Sequence, residues 1–144
     1  GRVVIRDVIV SVAPILYVTG VKWLVERPRP ITSVGSGLLP GDPSFPSGHT
    51  AAAVIVSVMM ILIVRNFARS RFPDGEDDER ANRRRVFLRR AIIGAVALVV
   101  AVACSRLLLG LHYPTDVIIS ATICPLISYA VWCVWNACES AEEW

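Results

Sequence analysis

Residues 117–138, VIISATICPLISYAVWCVWNAC, decide the fold class because they contain no charged side chain. A helix needs roughly 20 predominantly apolar residues to cross the hydrocarbon core of a bilayer, and this segment meets that requirement alone. It is too long for an ordinary strand and lacks the strict alternation of apolar and polar residues that a half-buried strand shows. The segment therefore predicts a membrane-spanning helix.

Three further apolar segments occupy residues 8–25, 50–64 and 91–111. Each reaches spanning length only by including, near one end, a residue of one of the polar motifs described below, such as Lys22 or Arg106. Such residues are tolerated where they reach the interface or face a polar cavity. In a chain that is 54% hydrophobic, four segments of this kind predict an all-α, multi-span transmembrane helical bundle rather than a set of soluble core helices.

The length of 144 residues predicts a single membrane-embedded domain over residues 1–144. Because the first residue is Gly1 and not Met, we expect that the chain begins inside a longer protein or has been trimmed. The four cysteines all lie in apolar stretches, without a CxxC pair or a histidine at ligand spacing. This pattern indicates that the cysteines are small buried apolar side chains and not part of a disulfide framework or a metal site.

The basic residues are unevenly distributed, and nine of the fifteen fall between Arg65 and Arg90. Residues 65–90 are therefore predicted to form a charged loop between two spans. Cytoplasmic loops are enriched in Lys and Arg, so we expect this loop in the cytoplasm. Successive spans cross the membrane in alternating directions. Residues 22–49 and 105–116 are therefore expected together on the extracytoplasmic face. The prediction is an integral protein of a bacterial plasma membrane with its polar clusters extracytoplasmic.

The first cluster pairs Lys22 with Arg29, seven residues later. Pro28 and Pro30 predict that the helix ends before Arg29, which leaves its side chain on an extended segment and free to reach back. The planar fork of arginine and the point charge of lysine both suit phosphate oxygens. The alternative is that these cations, with Arg27, only anchor a span at the lipid headgroups. Arg27 is the one most expected to be an anchor.

The second cluster, Pro46-Ser47-Gly48-His49, precedes the second span. Glycine allows close backbone approach, and the free N–H groups of a helix start bind anions. Ser47 can cap that helix and donate to a phosphate oxygen, and His49 is placed for general acid catalysis. The alternative is an ordinary helix cap followed by an interfacial histidine.

The third cluster has Ser105 and Arg106 at the end of one span, with His112 and Asp116 at the start of the next. Pro114 suits the first turn of a helix. A carboxylate four residues after a histidine can bind one ring nitrogen and leave the other as a nucleophile. The alternative is a His–Asp pair that only caps the helix, which a charged arginine at the same membrane edge makes less attractive.

Together, complete and in order, the three clusters resemble the motifs of the type 2 phosphatidic acid phosphatase superfamily, in its integral-membrane lipid phosphatase branch related to vanadium haloperoxidases. The resemblance covers residues 22–116. It implies that the four spans are the last four of a six-helix core and that the site needs no metal. It also implies a role for each residue. Phosphate is bound by Lys22, Arg29, Ser47, Gly48 and Arg106. His112 is the nucleophile, Asp116 orients that histidine, and His49 protonates the leaving oxygen.

The expected function is therefore hydrolysis of a lipid phosphate monoester or diphosphate through a phosphohistidine, without a cofactor. Candidate substrates are phosphatidate, phosphatidylglycerol phosphate and polyprenyl phosphates or diphosphates, with membrane lipids as surroundings and no nucleic acid as partner. Two alternatives stay open. A vanadate-dependent haloperoxidase-like enzyme is disfavoured because four segments are apolar enough to span a membrane and the chain is short. A non-catalytic membrane module is disfavoured by the intact pair of His112 and Asp116.

Overall fold

The computed structural model describes residues 1–30, 41–73 and 78–142, in which all regular structure is helical. The helices are α1 (Arg2–Val12), α2 (Pro14–Val25), α3 (Gly48–Arg71), α4 (Asp78–Leu108) and α5 (Pro114–Glu142). Within the described residues there is no strand. The predicted all-α class is confirmed.

Four helical stretches are long and apolar enough to cross a membrane, and each contains one of the predicted apolar segments or most of it. The first combines α1 and α2 over 24 residues, and the others are α3, α4 and α5 with 24, 31 and 28 residues in span. The first stretch is interrupted at Ala13 because Pro14, which has no N–H group, starts α2. The predicted multi-span bundle is confirmed.

The end of α2 also agrees with the sequence prediction. Glu26 adopts a left-handed conformation with φ 44° and donates its N–H to Lys22 O at 3.0 Å, which ends the helix. The chain then runs without regular structure to Pro30. Arg27 and Arg29 therefore leave the helix on a non-helical segment, as the prolines beside them predicted.

The loop predicted over residues 65–90 is wrong for most of its length. Helix α3 continues to Arg71 and α4 begins at Asp78, while residues 74–77 lie outside the described residues. Arginine, glutamate, alanine and leucine all favour helix, and Glu79 pairs with Arg83 one turn later at 2.6 Å. Charge ended the apolar segments here but did not end the helices.

Small side chains fill the space between the helices, and large apolar side chains point outward. Ser57 Oγ of α3 donates to Ala95 O of α4 at 3.3 Å, while Leu16 and Leu24 are 80% and 84% exposed. Small residues let membrane helices approach closely, and exposed leucines in such numbers are unusual for a soluble protein. Buried small residues on the helices include Ala51, Ala53, Ser57, Ala91, Ala95, Ser120, Cys124 and Ser128.

The chain topology brings the three clusters to one end of the bundle. Helices α2 and α4 end there, and α3 and α5 begin there. At the opposite end, the buried carboxylate of Asp7 accepts hydrogen bonds from Arg6 at 2.8 Å and Asn66 at 2.6 Å, which ties α1 to α3. The two ends are therefore both polar, but only the first contains the histidines.

Candidate active site

Main-chain groups join the three clusters before any side-chain charge is considered. Ser44 donates from its N–H to Arg27 O at 2.8 Å and from Oγ to Pro28 O at 3.1 Å. Ser47 N–H donates to Asp116 O at 3.1 Å. The first contacts tie the first cluster to the residues just before the second cluster, and the last ties the second cluster to the third. The backbone thus fixes the spacing on which the site depends.

The start of α3 has the cap that the sequence predicted. The Ser47 hydroxyl is buried and accepts from the N–H of Thr50 at 3.4 Å and from its hydroxyl at 3.0 Å. The first turn of a helix leaves N–H groups without intrahelical partners, so those of Gly48 and His49 remain suited to an anion. A Cβ built on Gly48 would lie 3.7 Å from Lys22 Cε, which places the first cluster's lysine beside this helix start.

His112 lies in the turn before α5 and is buried. Its Nδ1 is 3.4 Å from Asp116 Oδ2, too long for a strong hydrogen bond. Catalytic hydrogen bonds often shorten only when substrate is bound. Because Nδ1 faces a carboxylate, it is the nitrogen expected to hold the proton, and Nε2 then has the free lone pair. His112 and Asp116 therefore lie side by side, and the orienting role of Asp116 stays a prediction.

The Nε2 atom of His112 lies 3.3 Å from Arg29 Nη1. A guanidinium can only donate, so Nε2 is the acceptor in this contact. Burial lowers the pKa of His112 below its ordinary value of 6.5, and the charge of Arg29 lowers it further, while Asp116 opposes both effects. The imidazole is therefore neutral at neutral pH, which is the form that can attack phosphorus.

Arg27 does more than anchor a span, and the expectation that it is only an anchor is wrong. Its Nη1 donates to Asp116 Oδ1 at 2.9 Å and to Thr115 Oγ1 at 2.6 Å. Its guanidinium carbon lies 4.0 Å from the centroid of the Tyr113 ring. A fully buried carboxylate is stable as an anion only with a charged or strongly donating partner. Arg27 supplies that partner and so fixes the residue that orients the nucleophile.

Asp42 is the acidic residue that the sequence analysis missed. Its Oδ2 accepts from Lys22 Nζ and its Oδ1 from Arg29 Nη2, each at 2.6 Å. Partial burial raises the pKa of this carboxyl, but the hydrogen bonds from the two cations outweigh it and lower the pKa to about 2. The available signal was that Asp42 is the only acidic residue between Glu26 and Asp74, in a segment full of cations.

The two remaining predicted residues are less tightly connected. Arg106 Nε donates to Ser105 Oγ at 3.2 Å, and His49 is exposed on the first turn of α3. Neither side chain makes a hydrogen bond or ion pair to the other site residues in the described part of the chain. Their roles stay predictions.

The sequence profile of the PAP2 superfamily matches residues 5–139, nearly the whole chain. The chain belongs to the PAP2 superfamily. This confirms the resemblance to type 2 phosphatidic acid phosphatases, and membership indicates a phosphatase-type activity. With four membrane-capable helices, the protein is an integral membrane member of the PAP2 superfamily. No curated protein and no solved structure matches the chain.

The side chains of this PAP2 domain place positive charge and a nucleophilic nitrogen close together. Among the described residues, no group of three or more His, Cys, Asp or Glu side chains is arranged to hold a metal ion. The positive charge is supplied by Lys22 and Arg29, which flank the Asp42 carboxylate. A neutral imidazole whose Nε2 carries no proton, beside these cations, can attack an anionic phosphoryl group.

Proposed function

We propose that this protein is a lipid phosphatase that hydrolyses a phosphate monoester or diphosphate through a phosphohistidine on His112. The supporting observation is the contact between Nε2 of the buried His112 and Arg29 at one end of a bundle with apolar outer faces. A lipid keeps its headgroup at the bilayer edge and its chains in the hydrocarbon. A phosphate site at the end of the spans suits such a substrate.

In the proposed first step, His112 Nε2 forms a bond to phosphorus, and the bond from phosphorus to the leaving oxygen breaks. His49 gives a proton to that oxygen, and Asp116 holds the Nδ1 proton of His112. In the second step water attacks phosphorus, the nitrogen–phosphorus bond breaks, and the proton of water passes to His49. Fixed cations stabilise the charge that develops on the phosphoryl oxygens.

We propose that no metal takes part, because the cations already neutralise the phosphate. The positive charge and the hydrogen-bond donors that the phosphate needs come from Lys22, Arg29, Arg106 and the first-turn N–H groups of α3. A metal ion is not needed to supply that charge. Phosphatidate, phosphatidylglycerol phosphate and polyprenyl phosphates or diphosphates remain the candidate substrates.

The test is phosphate release by the purified protein from each of these four lipid classes in detergent micelles, with and without a chelator. The control is His112→Ala prepared in the same way. We expect release from at least one lipid, unchanged by the chelator and absent in the control. Release that needs added Mg²⁺ or Zn²⁺ would refute metal independence. Inactivity on every lipid, together with vanadate-dependent halide oxidation, would refute the phosphatase.

The face of the site is proposed to be extracytoplasmic, since the nine arginines from Arg65 to Arg90 belong to the opposite end of the spans. The test uses a variant without the four native cysteines, and single cysteines at Gly41 or Pro73. Gly41 has nothing within 4 Å of an added Cβ, and Pro73 is exposed beyond α3. An impermeant thiol reagent should label intact cells at position 41 and not at 73. The opposite pattern would reverse the topology.

A further inference from the structure

Lys22 has few N–H bonds left for a ligand. A lysine ammonium group carries three N–H bonds. One is donated to Asp42 Oδ2 at 2.6 Å and another to Pro43 O. Both acceptors belong to the same short stretch of chain, just before the second cluster. One N–H bond of Lys22 therefore remains.

Arg29 is engaged in the same way. Of its five N–H bonds, Nε donates to Asp42 O at 3.1 Å and Nη2 to Asp42 Oδ1 at 2.6 Å. Nη1 donates to Leu111 O at 3.0 Å and faces His112 Nε2 at 3.3 Å. One N–H bond of Arg29 therefore remains. The two cations assigned to phosphate binding have most of their donors directed at protein atoms.

The Asp42 carboxylate binds these cations as a phosphate would. One oxygen accepts from Lys22 and the other from Arg29, which is how two oxygens of a phosphate bridge an ammonium and a guanidinium. The side chain of Asp42 is 51% exposed, whereas those of Lys22 and Arg29 are largely buried. Of the three groups, the carboxylate is the one that can turn into water, and a phosphate that takes its place then neutralises the two buried cations.

A phosphate group and the carboxylate are poorly suited to binding side by side. Two anions in contact repel each other, and each makes the ionised form of the other less favourable. The phosphate also needs the N–H bonds that the carboxylate holds. Release of Asp42 frees one side-chain donor on Lys22 and one on Arg29 at the place where the phosphate must bind.

We propose that Asp42 is an intramolecular competitor for the phosphate site, so that phosphate binding and release of the carboxylate from Lys22 and Arg29 are one exchange. This rests on the proposed function only in assigning phosphate to those two cations. The return of the carboxylate then helps to expel inorganic phosphate after hydrolysis. Asp42 weakens the binding of substrate phosphate and product phosphate alike.

The experiment measures binding of inorganic phosphate to the purified full chain by titration calorimetry, and separately KM for a lipid phosphate. Asp42→Asn and Asp42→Ala remove the competing charge in two different ways. Glu26→Gln is the matched control, because it removes an exposed negative charge at the same end and leaves the carboxylate contacts in place. Exposed ion pairs contribute modestly, so we expect the Kd for phosphate to fall about three- to tenfold in both Asp42 variants.

The control should bind phosphate as the wild type does, and KM should fall with Kd in the Asp42 variants. Weaker or unchanged phosphate binding in both Asp42 variants would overturn the proposal and make Asp42 a residue that only positions the cations. Absence of phosphate binding in the wild type and in both variants would overturn it too. Tighter phosphate binding without lipid hydrolysis would leave the exchange standing and refute the proposed function instead.

Discussion

Two carboxylates, Asp116 and Asp42, each bind an arginine of the segment that follows α2, and they differ in burial. Asp116 has 0% of its side chain exposed and is held by Arg27 and the N–H of Tyr113. Asp42 is 51% exposed and is held by Arg29 and Lys22.

The difference in burial separates a fixed ion pair from an exchangeable one. Removing one partner of a buried pair typically costs about 3–5 kcal/mol because it leaves an uncompensated charge. An exposed pair contributes about 0.2–1 kcal/mol. The pair of Arg27 with Asp116 can therefore hold a catalytic geometry, whereas the contacts of Asp42 can be exchanged for those of a ligand.

The largest expected effect separates the two carboxylates directly. Asp116→Asn should lower kcat by about 10³-fold or more, since loss of the carboxylate that orients a catalytic histidine has effects of that order. Asp42→Asn should change kcat by less than about tenfold, in line with the small contribution of exposed pairs. Initial rates on one lipid phosphate test this, with thermal unfolding to show that both variants fold. Equal losses of kcat in the two variants would contradict the distinction between a fixed and an exchangeable carboxylate.

The next effect concerns Arg27, which should behave as part of the buried pair. A hydrogen bond to a charged group contributes about 1.5–3 kcal/mol, and about 1.4 kcal/mol is tenfold in rate. Arg27→Ala should therefore lower kcat about 10- to 100-fold with KM nearly unchanged. Arg27→Lys should recover part of the loss, because it keeps the charge but not the planar fork. A raised KM with unchanged kcat would instead make Arg27 a phosphate ligand.

The smallest effect is on the titration of His112. Its pKa is lowered by burial and by Arg29 and raised by Asp116, so it should titrate below 6.5. As pH falls through that pKa, the lone pair on Nε2 is lost and kcat/KM should fall with it. Arg29→Gln should move the titration to higher pH, and Asp116→Asn should move it to lower pH.

Because the chain has only two histidines, NMR of ring-labelled protein can follow this titration, with His49→Ala to assign the signals. A pKa above 6.5 in the wild type, or shifts of the opposite sign in the variants, would contradict the electrostatics described here.

Much of this arrangement could be predicted from local sequence. Four apolar segments predicted four spans, and the prolines at 28 and 30 predicted that the chain leaves the helix before Arg29. The cap at Ser47 was also predicted, because a serine before an apolar helix satisfies a first-turn N–H. These features depend on neighbours in sequence, and the clusters predict the candidate site residues for the same reason.

The rest depends on contacts that sequence spacing does not reveal. Arg27 and Asp116 are 89 positions apart, and their pairing follows from how the segment after α2 packs on the start of α5. Asp42 lies outside all three clusters, so its contact with their cations follows only from the folded chain. The charged residues 65–90 predict a loop because they interrupt the apolar segments, but Arg and Glu favour helix outside the apolar spans.

The central claim is that His112 is the nucleophile, and trapping the phosphoenzyme tests it most directly. Labelled lipid phosphate is mixed with the protein, quenched rapidly, and the protein is assayed for acid-labile phosphate. Wild type and His49→Ala should carry the label, since loss of a general acid slows turnover by about 10²–10⁴ without removing the attacking atom. His112→Ala should carry none. Label that persists in His112→Ala and disappears in His49→Ala would show that the two histidines have the opposite roles.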